Sequence, residues 1–137
     1  MELASPLFLT VKGENKMLKK SIKYVDFNGV EREEDFYFNI SKAEAAEMEL
    51  SIDGGLTNMI QRIVSAQDNP TIIKIFKEFI LKAYGEKSPD GRRFVKSEEL
   101  SKAFSETPAY DKLFIELIGD SKKAADFFNG IVQGGAN

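Results

Sequence analysis

The chain has 137 residues, of which 42% are hydrophobic and 30% charged, and its formal net charge is −3. This length is typical of one domain with a real core, and the lack of any apolar stretch of about 20 residues excludes a membrane span. The sequence contains no cysteine and no histidine, which removes disulfides, thiol chemistry, hydrolase triads and nearly all zinc sites. The acidic balance argues against nucleic-acid binding.

The first 16 residues are ambiguous. Leu7, Leu9 and Val11 alternate with other side chains in PLFLTVK, ahead of the turn-like Gly13-Glu14-Asn15. This pattern is compatible with the third strand of a small meander. The opening has no basic leader and only a short apolar run, unlike a secretory signal. Nothing in it points out of the cytoplasm.

A β-hairpin is predicted around Asn28-Gly29. A two-residue turn there would place Ile22 opposite Asp35 and mix apolar with polar side chains on each face. A three-residue loop that begins at Phe27, with the glycine in the left-handed conformation, removes this conflict. One face then gathers the apolar side chains of Leu18, Ile22, Tyr24, Phe36, Phe38 and Ile40. The solvent face carries the charged side chains of Lys19, Lys23, Glu31, Glu33 and Asp35.

Three helices are predicted after the hairpin. Ser41 with Glu44 forms a capping box in front of KAEAAEMEL. A second helix begins near Leu56, where apolar residues recur at helical spacing, and ends before Asn69-Pro70. This Asn-Pro pair then starts the third helix, TIIKIFKEFILKAY, which is predicted to run to Gly85.

The segment GEKSPDGRRF is predicted to be a turn-rich loop, and three short helices follow it. Their predicted caps are Ser97, Thr107 with Pro108, and either Asp120 or Ser121. The fold class is therefore α+β, with a small N-terminal antiparallel β-hairpin or three-stranded meander followed by about six short α-helices.

The predicted organisation has three parts. Residues 1–16 form an N-terminal extension that could supply an extra strand, residues 17–133 form a single domain, and residues 134–137 form a flexible tail. The sequence shows no repeat and no low-complexity tract that would divide it further.

No motif indicates catalysis or a cofactor. The acidic run Glu31, Glu33, Glu34 and Asp35 lies on a strand, whereas loops that bind hard cations bend at a glycine, so a solvated face is favoured. Arg92-Arg93 could hold an anion, but ion pairing with the acidic surface is the favoured interpretation. The glycine pairs lack the lysine that follows in a P-loop. We therefore expect no enzyme, no cofactor and no metal site.

Aromatic residues are numerous, with 11 phenylalanines and 4 tyrosines. Most belong to the core, but short helices depend on tertiary contacts, and some apolar faces could bury themselves against a partner. The candidates for such partner binding are Phe76, Phe79, Ile80, Phe127, Phe128 and Ile131. For each of them, core packing and partner contact both remain open at this point.

From Met17 to about residue 133 the sequence resembles the tail assembly chaperones of long-tailed, siphovirus-type bacteriophages of Gram-positive hosts. The most specific segments are DFYFN, YGEKSPDGRRF followed by KSEEL, and FFNGIV. Members of this family usually begin near the position of Met17. Residues 1–16 are thus an alternative start, an expression remnant or a genuine added strand.

The resemblance implies a non-enzymatic helper that coats the long, largely helical tape measure protein, keeps it soluble and recruits major tail (tube) protein subunits. It implies action in the cytoplasm of the infected bacterial host, absence from the mature virion, and a second product extended by a ribosomal frameshift near QGGAN. Self-association of neighbouring copies is expected, and binding to nucleic acid or membranes is not. The alternative functions are a structural minor tail protein retained in the virion and, least favoured, a small enzyme.

Overall fold

An antiparallel hairpin opens the part of the chain that the computed structural model describes, which is residues 17–52, 54–65 and 70–132. Its strands are β1 (Leu18–Val25) and β2 (Glu31–Phe38), with Leu18 opposite Phe38. The Asp26 amide donates to the Val30 carbonyl oxygen at 2.9 Å, and Gly29 has a φ of 83°. The register and this hydrogen bond confirm the predicted three-residue loop. The loop can form because Gly29 tolerates the left-handed conformation that it requires.

The two faces of this hairpin divide as predicted. Ile22 and Phe38 are buried, and Leu18, Tyr24 and Phe36 pack partly buried against the same core. The side chains on the other face are exposed, namely Lys19, Lys23, Glu31, Glu33 and Asp35. The hairpin thus contributes one apolar face and leaves a charged face to solvent.

Helices α1 (Lys42–Ser51), α2 (Gly55–Ser65) and α3 (Pro70–Ala83) follow the hairpin. The capping box is confirmed, because Ser41 Oγ accepts from the Glu44 amide at 3.1 Å and the Glu44 carboxylate accepts from the Ser41 amide at 3.0 Å. The predicted N-cap Asn69 lies outside the described residues.

A second hairpin follows α3 directly, formed by β3 (Tyr84–Lys87) and β4 (Phe94–Val95). Its turn contains Gly91, which has a φ of 76°. The described sheet has the order β1-β2-β3-β4. The prediction that GEKSPDGRRF is entirely a turn-rich loop was therefore wrong at both ends of the segment, which belong to strands.

The end of the third helix was also misplaced, because Tyr84 pairs with Phe38 in the sheet instead of ending the helix. The close approach of the strands depends on Gly85, where a Cβ atom would lie 2.5 Å from the Val95 carbonyl oxygen. The third strand of the described sheet thus comes from beyond α3, and the meander strand predicted within residues 1–16 lies outside the described residues.

The remaining helices are α4 (Glu98–Ser105), α5 (Pro108–Ile118) and α6 (Ser121–Ile131). Ser97 caps α4 and Thr107 caps α5, as predicted. Asp120, and not Ser121, is the N-cap of α6, since its carboxylate accepts from the amides of Lys122 and Lys123. With six helices in the described ranges and one antiparallel sheet, the α+β class is confirmed.

Aromatic rings join the sheet to the helices. Tyr84 of β3 stacks on Phe104 of α4 with centroids 4.2 Å apart and an interplanar angle of 8°. Phe38 of β2 meets Phe104 at 5.8 Å and Phe127 of α6 at 5.1 Å. Such pairs add about 0.5–1.5 kcal/mol each beyond the burial of their area. The core therefore lies between the inner face of the sheet and the helices, and both hairpins rest on it.

Candidate partner-binding surfaces

The six side chains predicted to bind a partner all lie in the hydrophobic core. Their exposed fractions run from 0% to 4%, for Phe76, Phe79, Ile80, Phe127, Phe128 and Ile131. The ring of Phe128 on α6 lies 5.1 Å from that of Phe76 and 4.8 Å from that of Phe79, centroid to centroid. Phe76 and Phe79 of α3 therefore pack against Phe128 of α6.

In the folded, isolated chain, these six side chains are core residues. The burial does not test whether they contact a partner after a conformational change. A partner could reach these side chains only if α3 or α6 moved, and separating the two helices would expose aromatic area worth several kcal/mol. Their contact with a partner stays a prediction. The exposed large apolar side chains of the described residues lie elsewhere.

The large apolar side chains that are exposed lie mainly at one end of the first hairpin. Phe27 is 86% exposed, Val25 54% and Val30 51%, and Ile115 on α5 is 64% exposed. Val25 and Ile115 line the same groove, about 830 Å³ in volume, and Phe27 and Val30 belong to the turn beside it. We call these four residues the tip surface. Leu50, 89% exposed, lies apart at the end of α1.

The turn that carries Phe27 is held by the side chain of Asp26. Its Oδ1 accepts from the amides of Asn28 at 2.9 Å and Val30 at 3.0 Å, and its Oδ2 accepts from Nε of Arg32 at 2.6 Å. The hydrogen bond from Arg32 first, and then that from Val30, hold the pKa of the Asp26 carboxyl below its usual range. The aromatic ring therefore projects from an ordered turn.

Helix α5 lines the groove opposite the hairpin, and two contacts hold this helix to β1. Lys112 on α5 donates from Nζ to the carbonyl oxygen of Lys23 at 2.5 Å. Lys20 of β1 and Glu116 of α5 form an ion pair at 3.6 Å. Both contacts join the same strand and helix, so the hairpin end and the exposed Ile115 are presented together.

A second surface, at the turn of the other hairpin, is basic. Lys42, Lys87, Arg92 and Arg93 line one groove of about 560 Å³. We call these four residues the basic patch. Among the described residues neither guanidinium forms an ion pair. The ion pairing with the acidic surface that the sequence favoured for Arg92-Arg93 is therefore not found within these residues.

The described ranges contain no group of three or more acidic residues placed to hold a metal ion. In the same ranges, no helix has both the length and the apolar character needed to cross a membrane.

The sequence contained a signal for part of the tip surface. Surface loops expose their side chains, so the predicted three-residue loop that begins at Phe27 already implied an exposed aromatic ring there. The exposure of Ile115 had no comparable signal, because α5 carries apolar residues on more than one side. The basic patch was found only in part, because Lys42 and Lys87 come from separate elements.

Comparison with protein families gives the context for these surfaces. A family model for phage tail assembly chaperones matches residues 17–133. The chain belongs to this phage tail assembly chaperone family. No match was found among curated proteins or among solved structures. Family membership implies a non-enzymatic role in the assembly of phage tails, with phage tail proteins as partners.

Proposed function

We propose that this chaperone binds the tape measure protein of its phage, keeps it soluble and recruits tail tube subunits to it. The phage is a siphovirus-type phage of a Gram-positive host, and the chain acts in the cytoplasm of the infected bacterium. The family match supports the chaperone role. The tip surface is the observation that carries the proposal of direct binding, because it offers exposed apolar area on an ordered support.

The size of the tip surface indicates weak binding by one copy. Complete burial of a large apolar side chain stabilises a complex by about 1.5–3 kcal/mol. Burial of the area that the four tip-surface residues still expose would therefore contribute roughly 4–8 kcal/mol in total. Association itself costs a comparable amount. Tight coating of a long polypeptide therefore requires many copies bound side by side.

Charge supports the same function. The net charge of −3 gives coated complexes a mutual repulsion that opposes aggregation. Self-association of neighbouring copies, and incorporation of a frameshift-extended form among them, belong to this proposal. An expected sign is the appearance of larger species in size-exclusion chromatography when the tape measure protein is present.

Co-expression with the tape measure protein from the same genome tests the binding. Wild-type chain should move the tape measure protein into the soluble fraction, and Phe27→Ser with Val30→Ser should reduce that effect severalfold. Leu50→Ser is the matched control, because Leu50 is about as exposed as Phe27 but belongs to α1 and not to the turn. If the tape measure protein is equally insoluble with and without the wild-type chain, the proposal fails.

The composition of purified virions tests the departure of the chaperone. We expect mass spectrometry of mature particles to detect tube and tape measure proteins but not this chain. Its presence at a fixed ratio to the tail proteins would favour the alternative, a structural minor tail protein retained in the virion.

A further inference from the structure

We propose that the basic patch is a second docking site, which binds an acidic segment of a partner protein. The patch shares no lining residue with the groove of the tip surface. It lies where the turn between β3 and β4 meets the beginning of α1. Every charged side chain that lines this groove is positive.

The four cations are not neutralised by their surroundings. Lys42, Lys87, Arg92 and Arg93 are exposed, and none of them forms an ion pair within the described ranges. Nζ of Lys87 lies 5.9 Å from the centroid of the Tyr37 ring, which holds this ammonium without cancelling its charge.

Glu44 and Asp90 lie close to patch residues along the chain, and each has partners of its own. Glu44 accepts from Nζ of Lys96 at 2.6 Å and from the amide of Ser41. Asp90 accepts from Oγ of Ser88 at 2.7 Å and from the amide of Arg92 at 3.1 Å. Because Lys96 balances Glu44 and no carboxylate lines the groove, the lining itself keeps a net positive charge.

The shape of the patch is set before any partner arrives. The Ser88 amide donates to the Arg93 carbonyl oxygen at 2.8 Å, and Oγ of Ser88 accepts from the Arg93 amide at 3.0 Å. Nζ of Lys96 also donates to the carbonyl oxygen of Asn39 at 2.9 Å, which joins β4 to the chain just before α1. A partner therefore meets cations on a preformed turn, and the entropic cost of ordering that turn is small.

The chemistry favours carboxylates on a protein segment over a nucleic-acid backbone. Guanidinium groups form paired hydrogen bonds with carboxylates as well as with phosphates. However, the solvent face of the same sheet carries Glu31, Glu33 and Asp35. These acids repel a long uniform polyanion that extends beyond the patch, whereas a protein segment can confine its acidic residues to the part that enters the groove.

Fluorescence anisotropy with a labelled 12-residue oligoglutamate and the full chain tests this site at about 0.1 M salt, where exposed charges more than about 10 Å apart are largely screened. Arg92→Glu with Arg93→Glu should lower the affinity about tenfold or more, since two cations become repulsive. Lys42→Gln with Lys87→Gln should also lower it, from different elements of the fold. The matched control is Lys74→Glu with Lys77→Glu, which makes the same charge change on exposed positions of α3 and should leave the affinity within about twofold.

Several results would overturn the assignment. Absence of saturable binding, or an equal loss in the α3 control, would show that the patch is not a site. Tighter binding of a 12-nucleotide oligothymidine would assign it to nucleic acid. If the oligoglutamate binds only to the variant Glu2→Gln with Glu14→Gln, the occupant of the basic patch is the chain's own residues 1–16. If the chain associates in a concentration-dependent way and Arg92→Glu with Arg93→Glu abolishes this association, the occupant is a second copy.

Discussion

The two hairpin turns of the sheet share two local features and present different chemistry. In each, an aspartate accepts from the amide two residues further on, Asp26 from Asn28 and Asp90 from Arg92. In each, a glycine takes a positive φ, 83° at Gly29 and 76° at Gly91. The first turn presents apolar side chains and the second presents arginines. Local hydrogen bonds and glycine conformations thus determine the turns. The side chains that take no part in them can therefore differ, and they define the two surfaces.

The largest expected effect comes from the core that both hairpins share. Phe128→Ala removes a ring with no exposed area that contacts Phe76 and Phe79. We expect a loss of about 3–5 kcal/mol in the free energy of unfolding. Urea denaturation followed by circular dichroism measures this loss, and the helix and sheet signals should disappear in one transition.

Tyr110→Phe is the control for that substitution. The Tyr110 side chain is also buried, but its hydroxyl has no hydrogen-bond partner among the described residues. Removal of an unsatisfied hydroxyl should leave the stability unchanged or raise it by up to about 1 kcal/mol. If Phe128→Ala cost no more than Tyr110→Phe, the core could not be the common support of the two surfaces.

A smaller effect should be shared equally by the turns themselves. Gly29→Ala and Gly91→Ala each force an alanine into the left-handed region, and an added Cβ atom meets no other atom within 4 Å at either position. Only backbone strain remains, so each variant should lose about 1–2 kcal/mol. Thermal unfolding of the two variants measures this loss. A clear difference between them would show that one turn carries a constraint that the other lacks.

The sequence predicted what depends on neighbouring residues and missed what depends on distant ones. The loop at Phe27 and the caps Ser97 and Thr107 follow from local hydrogen bonding and side-chain alternation. The pairing of β3 with β2 could not be predicted, because Tyr84 fits both the apolar stripe of a helix and the inner face of a sheet. Only the position of Phe38 across the sheet selects the strand.

The same reason explains the outcome for the candidate site. Phe79 and Phe128 lie on helices with broad apolar faces, and a sequence does not tell which part of such a face another helix will cover. Both became core. Lys42 and Lys87 were not connected with Arg92-Arg93, because the sheet brings these segments together and no spacing along the chain records it.

The smallest expected effects on stability come from the carboxyl groups of the two aspartates. Their hydrogen-bond partners differ in charge, which distinguishes the two turns. The pKa of Asp26 is lowered chiefly by the hydrogen bond from Arg32, and that of Asp90 chiefly by the hydrogen bond from Ser88. A carboxyl whose pKa is lower in the folded than in the unfolded chain stabilises the fold above its unfolded value of 3.8. This stabilisation is lost as the pH falls through the folded value.

Asp26→Asn and Asp90→Asn should therefore be less stable than the wild type at pH 7, and the differences should shrink well below pH 4. Because the partner of Asp26 is a charged guanidinium and that of Asp90 is a neutral hydroxyl, added salt should reduce the first difference more than the second. Urea denaturation at both pH values, with and without salt, measures this. Equal salt dependence would mean that Arg32 does not stabilise the apolar turn through its charge, and that the turns differ only in the side chains they expose.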